Sequence, residues 1–296
     1  MTNLPTQNST STLDRRSALR GLGAGIAAAG AMGVATNARA SATTPSEKPL
    51  SGKVAIVTGA RANMGRAFSE ALAQMGADVV VHYHRTETRG EAEQTAALVR
   101  KAGAGAALVQ GDLGDVAVVR RMYDLAESRF GGVDIVVNNA GAIIKKPIAE
   151  FTDAEFERLN GVNNRGLFYS LREAARRVRD GGRIINNGTS LLAGAAPGYA
   201  IYAGTKAPVE EYTRILAKEL GDRRITVNTI APGPVDTPFF HGQENERSVA
   251  YATGLAAEGR LGEVSDIVPL VEYLASPDSQ WTNGQTLFVN GGYLTR

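Results

Sequence analysis

Apolar and polar positions fall into alternating blocks along this chain: short β-branched runs give way to stretches where apolar residues recur every three or four positions. The first run, residues 53–58, reads as a buried strand, and residues 66–75 follow with helical spacing that Gly76 ends. The alternation continues with a strand at 78–83, a helix at 91–101, a strand at 106–113 ending in Asp112-Leu113, a helix at 116–130 and a strand from Val133 that runs into Asn138-Asn139-Ala140-Gly141. A helix opened by Thr152 or Asp153, a strand from Gly182, a helix with Pro208 in its first turn, and strands from Ile225 and Gly284 complete the series. Alternation of this kind predicts an α/β fold.

The N-terminal stretch breaks the pattern. Residues 1–11 are rich in Ser, Thr and Asn; Asp14-Arg15-Arg16-Ser17-Ala18-Leu19-Arg20 precedes an apolar Gly/Ala run over 21–35, and Ala38-Arg39-Ala40 closes it. A charged region, a weakly hydrophobic region and an A-x-A site are the parts of a signal peptide, and the paired arginines resemble a twin-arginine export signal. The expectation is therefore an export segment at 1–40, a Pro-containing linker at 41–50 and a folded domain at 51–296. Such a signal would carry an already folded protein to the periplasm; an organellar transit peptide or an inert extension on a cytoplasmic protein is the alternative. The Gly/Ala run is too weakly apolar for a stable membrane span.

Composition narrows the function further. With 296 residues, 43% hydrophobic and 34 Gly, the chain can bury the core of one domain. Its formal net charge of +2 leaves no electrostatic footprint for nucleic acid. There is no Cys, which excludes thiolate catalysis and Cys-ligated metals, and with three His and no H-E-x-x-H a catalytic zinc is not expected.

Two stretches carry candidate chemistry. Between the first strand and helix lies Thr58-Gly59-Ala60-Arg61-Ala62-Asn63-Met64-Gly65, a glycine-bearing turn into a helix N-terminus, where free N–H groups can receive a pyrophosphate. At the end of the second strand a dinucleotide fold places the residue that reads the adenosine ribose; no acid stands there, but His84-Arg85-Thr86 offers a cation and a hydroxyl suited to a 2′-phosphate. NADP is accordingly expected over NAD, with Arg61 as a second cation. The other stretch is Tyr199-Ala200-Ile201-Tyr202-Ala203-Gly204-Thr205-Lys206, in which a helix would set Lys206 one turn from Tyr202. A neighbouring ammonium is expected to lower the phenol's pKa and make it a general acid/base.

Together with Asn138-Asn139-Ala140-Gly141 after the fourth strand, these motifs resemble the classical short-chain dehydrogenases/reductases. The glycine turn departs from that family's T-G-x-x-x-G-x-G at its middle glycine, where Asn63 stands; Asn tolerates left-handed backbone better than other residues with a side chain. The resemblance implies a doubly wound (Rossmann-type) parallel sheet with helices on both faces, in a single domain, and interconversion of a carbonyl and a secondary alcohol. It places Gly59, Asn63, Met64 and Gly65 at the pyrophosphate, Asp112 and Leu113 beside the adenine, and Asn139, Ala140 and Gly141 along the cofactor. Pro232, Gly233, Val235 and Thr237 would hold the nicotinamide carboxamide, and Asn163 would hold a water relaying protons to Lys206. Thr189 or Ser190 would polarise the substrate carbonyl, counted thirteen and twelve residues before Tyr202. Residues 238–260 would form a lid, whose Phe239, Phe240 and Tyr251 suit a hydrophobic substrate or simply pack against the body. A homotetramer or homodimer through the helices bearing Asn163 and Lys206 is also implied. Narrower possibilities are a 3-oxoacyl thioester reductase, with Lys145 and Lys146 drawing an anionic carrier, a pterin reductase-like enzyme, or a dinucleotide-binding sensor without turnover.

Overall fold

The structure, a computed structural model, describes residues 48–295; the export segment expected at 1–40 and most of the linker at 41–50 lie outside the described residues. Leu50, at the end of the linker range, is buried, and its amide donates to the Met75 carbonyl at 2.9 Å.

Seven strands form one sheet, all parallel: β1 (Val54–Val57), β2 (Asp78–Tyr83), β3 (Ala106–Gln110), β4 (Val133–Asn138), β5 (Val178–Asn187), β6 (Thr226–Pro232) and β7 (Thr286–Val289), in the order β3-β2-β1-β4-β5-β6-β7. Strand period explains the two layers. Ala55 and Val57 of β1 point into one core with Phe68, Leu72, Val99 and Ile267, whereas Val54 and Ile56 point into the other with Val119, Met122, Leu171 and Leu220. The first core is covered by α1 (Asn63–Gln74), α2 (Arg89–Lys101) and α10 (Val264–Ala275); the second by α3 (Val116–Phe130), α5 (Gly166–Arg177) and α7 (Pro208–Glu219). The doubly wound sheet with helices on both faces is therefore the observed architecture.

Strand order reverses between β1 and β4, so the chain leaves these neighbours toward opposite faces and a crevice opens at their C-terminal ends. Both edges of that crevice are built tightly. Gly59 follows β1 with φ +64°, and a Cβ there would lie 2.9 Å from the Ala140 Cα after β4. At Gly65 a Cβ would meet the Gly59 carbonyl oxygen at 2.3 Å, so only glycine lets α1 start this close to β1.

A buried imidazole braces the turn from the β2 side. His82 accepts the Gly59 N–H at Nδ1 (3.2 Å), and its Nε2 bonds the Gly111 carbonyl (3.0 Å), an arrangement that requires neutral imidazole with the proton on Nε2. Burial pushes its pKa down from 6.5 to about 4. The unfolded chain therefore takes up a proton at a pH where the folded chain does not, and stability should fall as pH drops from 6.5 toward 4. This group alone should cost about 3 kcal/mol over that window. Denaturant unfolding at a series of pH values checks it: His82→Asn should show a shallower loss than the wild type, and equal slopes would remove the role of the imidazole.

Candidate active site

The crevice continues into a cavity of about 920 Å³ that runs from the glycine turn, past the ends of β4 and β5, to the segment after β6. Its dinucleotide end matches the expected chemistry in backbone detail. Asn63, at the position of the missing glycine, has φ +49°, so its tolerance of the left-handed region is used. Helix α1 begins there with no side-chain cap and no acid in its first turn, which leaves its N–H groups and positive dipole end facing the cavity. Gly59, Arg61, Met64, Gly65, His84, Arg85, Asp112, Leu113 and Ala140 line the same end. A Cβ on Gly141 would lie 3.3 Å from Asn163 Oδ1 and 3.5 Å from Lys206 Nζ, so this glycine keeps the passage beside the lysine open.

Of the residues expected near the ribose phosphate, one is already paired and one lies outside the cavity lining. Arg61 pairs with Glu91 of α2, which takes up its charge. Thr86 is exposed at the start of a short 3₁₀ turn and is not among the residues lining the cavity, whereas Thr88, at the end of that turn, lines it. Arg85 is exposed and forms no ion pair with any described residue, so it remains available for a phosphate. These residues fit a dinucleotide with a 2′-phosphate: the turn accepts a pyrophosphate and no acid opposes the added charge.

The Tyr202 end of the cavity hangs on a ladder of amides across the sheet. Thr58 Oγ1 accepts the amides of Asn139 (2.9 Å) and Ala140 (3.0 Å), tying β1 to the loop after β4. Asn139 Nδ2 donates to the Thr58 carbonyl (3.1 Å), Asn187 Nδ2 donates to Asn139 Oδ1 (3.1 Å), and Lys206 Nζ donates to the Asn187 carbonyl (2.7 Å). Tyr202 and Lys206 lie one turn apart on the short helix α6 (Ala200–Lys206), both buried. Asn163 sits in a π-helical turn, Gly161–Arg165, between α4 (Asp153–Asn160) and α5; its amide clamps Ala142, accepting from N and donating to O, each at 2.9 Å, and also donates to Thr205 Oγ1 at 3.0 Å. It therefore lies behind Lys206, with Asn138 and Ser170 around a separate small pocket, outside the main cavity.

Electrostatics overturns one expectation. Burial pushes the Tyr202 phenol up to about 12, offset only in part by the Thr189 hydroxyl. Burial also brings Lys206 down to about 8, so loss of hydration outweighs any lowering of the phenol by the neighbouring ammonium. At neutral pH the pair is a protonated phenol beside a charged ammonium.

The two candidate hydroxyls separate clearly. Ser190 Oγ donates to the Ala231 carbonyl (2.9 Å) and accepts from Asn290 Nδ2 (3.0 Å), so its bonding capacity is spent on β6 and the turn after β7. Thr189 faces the cavity beside Tyr202, its hydroxyl accepting only a long bond, 3.3 Å, from the Leu191 amide and keeping its own proton free to donate. Pro232, Gly233, Val235 and Thr237 line the wall opposite the glycine turn, Thr237 Oγ1 donating to the Val235 carbonyl at 3.2 Å.

Over this end lie α8 (Pro238–His241) and α9 (Glu246–Leu255). Between them Glu244 accepts from the Tyr199 hydroxyl and pairs with Lys145, a cluster not anticipated from the sequence because its members lie 45 and 99 residues apart. Phe239 and Tyr251 line the cavity yet remain 39% and 69% exposed, so they are not buried as packing between lid and body.

Comparison with known proteins agrees with this geometry. The family profile described as enoyl-(acyl carrier protein) reductase matches residues 59–294. A short-chain type dehydrogenase/reductase of Picea abies is 42% identical over 83% of this chain and 93% of its own length. An NADPH-dependent aldehyde reductase-like chloroplast protein of Arabidopsis thaliana is 39% identical over 83% and 96%. Among solved structures, a Burkholderia cenocepacia protein with bound NADP superposes with a TM-score of 0.81 at 40% identity, covering 85% of this chain and 97% of that one.

The hydroxyl assignment has a direct check in steady-state kinetics with a carbonyl substrate. Thr189→Ala should lower kcat by about a hundredfold, as for loss of one donor to a developing oxyanion, and Thr189→Ser should retain most of it. Ser190→Ala should instead cost about 1–3 kcal/mol of stability through the partners it leaves unpaired, with the smaller effect on kcat. The reverse order would transfer the role to Ser190.

Proposed function

This chain belongs to the short-chain dehydrogenase/reductase family of NAD(P)-dependent oxidoreductases, and from that premise we propose that it is an NADPH-dependent reductase of neutral, apolar ketones, releasing secondary alcohols. The observation that carries the proposal is the geometry of the pair: Tyr202 and Lys206 lie one turn apart, buried, and line the cavity together with Thr189, where a phenol protonated at neutral pH can serve as the acid that carbonyl reduction requires. Bound in the crevice, NADPH would supply the hydride. Thr189 and Tyr202 would hold the carbonyl oxygen between their hydroxyls, and Tyr202 would give that oxygen its proton. Lys206, still charged below about 8, would stabilise the phenolate as it forms. Residues 58–65 and 139–141 would orient the dinucleotide, and the lid would exclude water.

The preference for NADP rests on Arg85 and Thr88 and on the absence of an acid at the end of β2; the NADP-bound relative and the NADPH-dependent relative support it. The exposed lining aromatics Phe239 and Tyr251 support a hydrophobic substrate, since a ligand there would cover apolar surface that the lid leaves open. The 3-oxoacyl thioester reading loses its motive, because Lys145 is paired with Glu244 and Lys146 with Glu155. Nothing at the lid favours a pterin. A sensor without turnover would have no use for a protonated phenol facing the cavity, and it stays as the competing outcome.

A homotetramer or homodimer is supported by Phe168 on α5 and Ile215 on α7, which are 43% and 48% exposed on the helices expected to pair. Export to the periplasm is proposed from the sequence of residues 1–40 alone.

Kinetics with both nicotinamide cofactors and a panel of neutral aryl ketones tests the main proposal through loss of nicotinamide absorbance. Arg85→Asp should raise the KM for NADPH by about tenfold or more and leave that for NADH nearly unchanged. Equal effects would remove the 2′-phosphate assignment, and cofactor binding without oxidation for every ketone would favour the sensor.

A further inference from the structure

We propose that Glu244 determines substrate specificity: by neutralising Lys145 in the wall of the substrate cavity, it makes the site select uncharged carbonyl compounds over anionic ones. The proposal deepens the carbonyl-reductase reading and rests on it. Lys145 follows β4 and Glu244 lies between α8 and α9, so the pair joins the floor of the cavity to its lid, and both residues line it. The Glu244 side chain is 4% exposed and that of Lys145 26%, so the ammonium is the member with access to an incoming ligand.

The pairing is held in place from several sides. Gln243 Oε1, the neighbour of Glu244, accepts the Lys145 backbone amide at 3.0 Å. The Lys145 ammonium stands 5.1 Å from the centre of the Tyr199 ring, and the Tyr199 hydroxyl donates to the other Glu244 oxygen. Burial opposes charge on Glu244, yet the bonds from Lys145, Ser248 and Tyr199 outweigh it and hold the carboxyl below its ordinary range, so the carboxylate is ionised at neutral pH. Tyr199 in turn meets Tyr202 edge to face, ring centres 6.1 Å apart, so the cluster lies one side chain from the proton donor.

The consequence follows from charge balance in a cavity partly withdrawn from water. A ligand carboxylate approaching Lys145 meets an ammonium already satisfied and a second negative charge beside it, and must shed its own hydration for no net attraction. A neutral aryl ketone meets the rings of Phe239 and Tyr251 and pays no such penalty. Removing only the negative charge should therefore release Lys145 to recruit an anion.

Calorimetric titration of the enzyme–NADP⁺ complex, in which a ketone binds without turnover, tests this with three probes of one shape: para-acetylbenzoate, its methyl ester and para-acetylphenyltrimethylammonium. Glu244→Gln keeps an oxygen for the Tyr199 hydroxyl and should bind para-acetylbenzoate at least about tenfold more tightly than the wild type, with the ester changed by less than about threefold. Adding Lys145→Met should abolish that gain. Lys145→Met alone, a change at the more exposed partner that spares the lid residue, should instead gain about tenfold for the trimethylammonium probe. Unchanged anion affinity in Glu244→Gln, a gain that survives loss of Lys145, or no cation gain in Lys145→Met would each overturn the proposal. Failure of the underlying reading would look different: the wild type would bind the ester but not reduce it with NADPH.

Discussion

Burying one ammonium beside one phenol is the constraint around which this molecule is organised. Among the described residues Lys206 forms no ion pair; its buried amine is held by the Asn187 carbonyl, and loss of hydration pulls its pKa toward 8. A buried charge without a carboxylate is costly unless fixed dipoles replace water. Here they come from a ladder that crosses three strands, from Thr58 at the end of β1 through Asn139 after β4 to Asn187 at the end of β5. The same ladder closes the turn that would receive a pyrophosphate. The glycine turn and Lys206 are therefore parts of one hydrogen-bonded unit, and a change at the sheet end would be felt at both.

Loss of hydration sets the state of the pair: it holds the Tyr202 phenol up near 12 and brings Lys206 down toward 8, so at neutral pH a protonated phenol stands beside a charged ammonium. Elsewhere in the cavity, charge is handled in the opposite way: Lys145 is answered by the carboxylate of Glu244.

Much of the fold was legible because strand and helix periods differ and because its boundaries are marked by glycine. Helix α3 falls at the expected residues 116–130 and β2 at 78–83, whereas β3 stops at Gln110, short of the Asp112-Leu113 pair expected to end it, because Gly111 takes a positive φ. Strand β5 starts earlier than expected, at Val178, since Arg179 and Asp180 hide an extension that only pairing of Val178 with Val133 reveals. Helix α10 was not anticipated, although Ile267, Val271 and Leu274 carry the spacing. At the site, the glycine turn, Asn63, the amide motif and the Tyr/Lys pair were legible from local order. What could not be read depends on partners distant in sequence: Asn290, 100 residues on, bonds Ser190; Glu91 takes Arg61; Glu244 takes Lys145. The direction of the Tyr202 shift was misjudged for a related reason, because spacing reports a neighbouring charge but not the depth of burial.

The central claim, that the buried Tyr202 phenol delivers the proton, is tested most directly by removing its hydroxyl alone. Tyr202→Phe should bind NADPH within about threefold of the wild type, because the glycine turn and the amide ladder are untouched, while turnover of a neutral aryl ketone should fall by about a thousandfold. Ketone reduction by Tyr202→Phe at an undiminished rate would contradict the account.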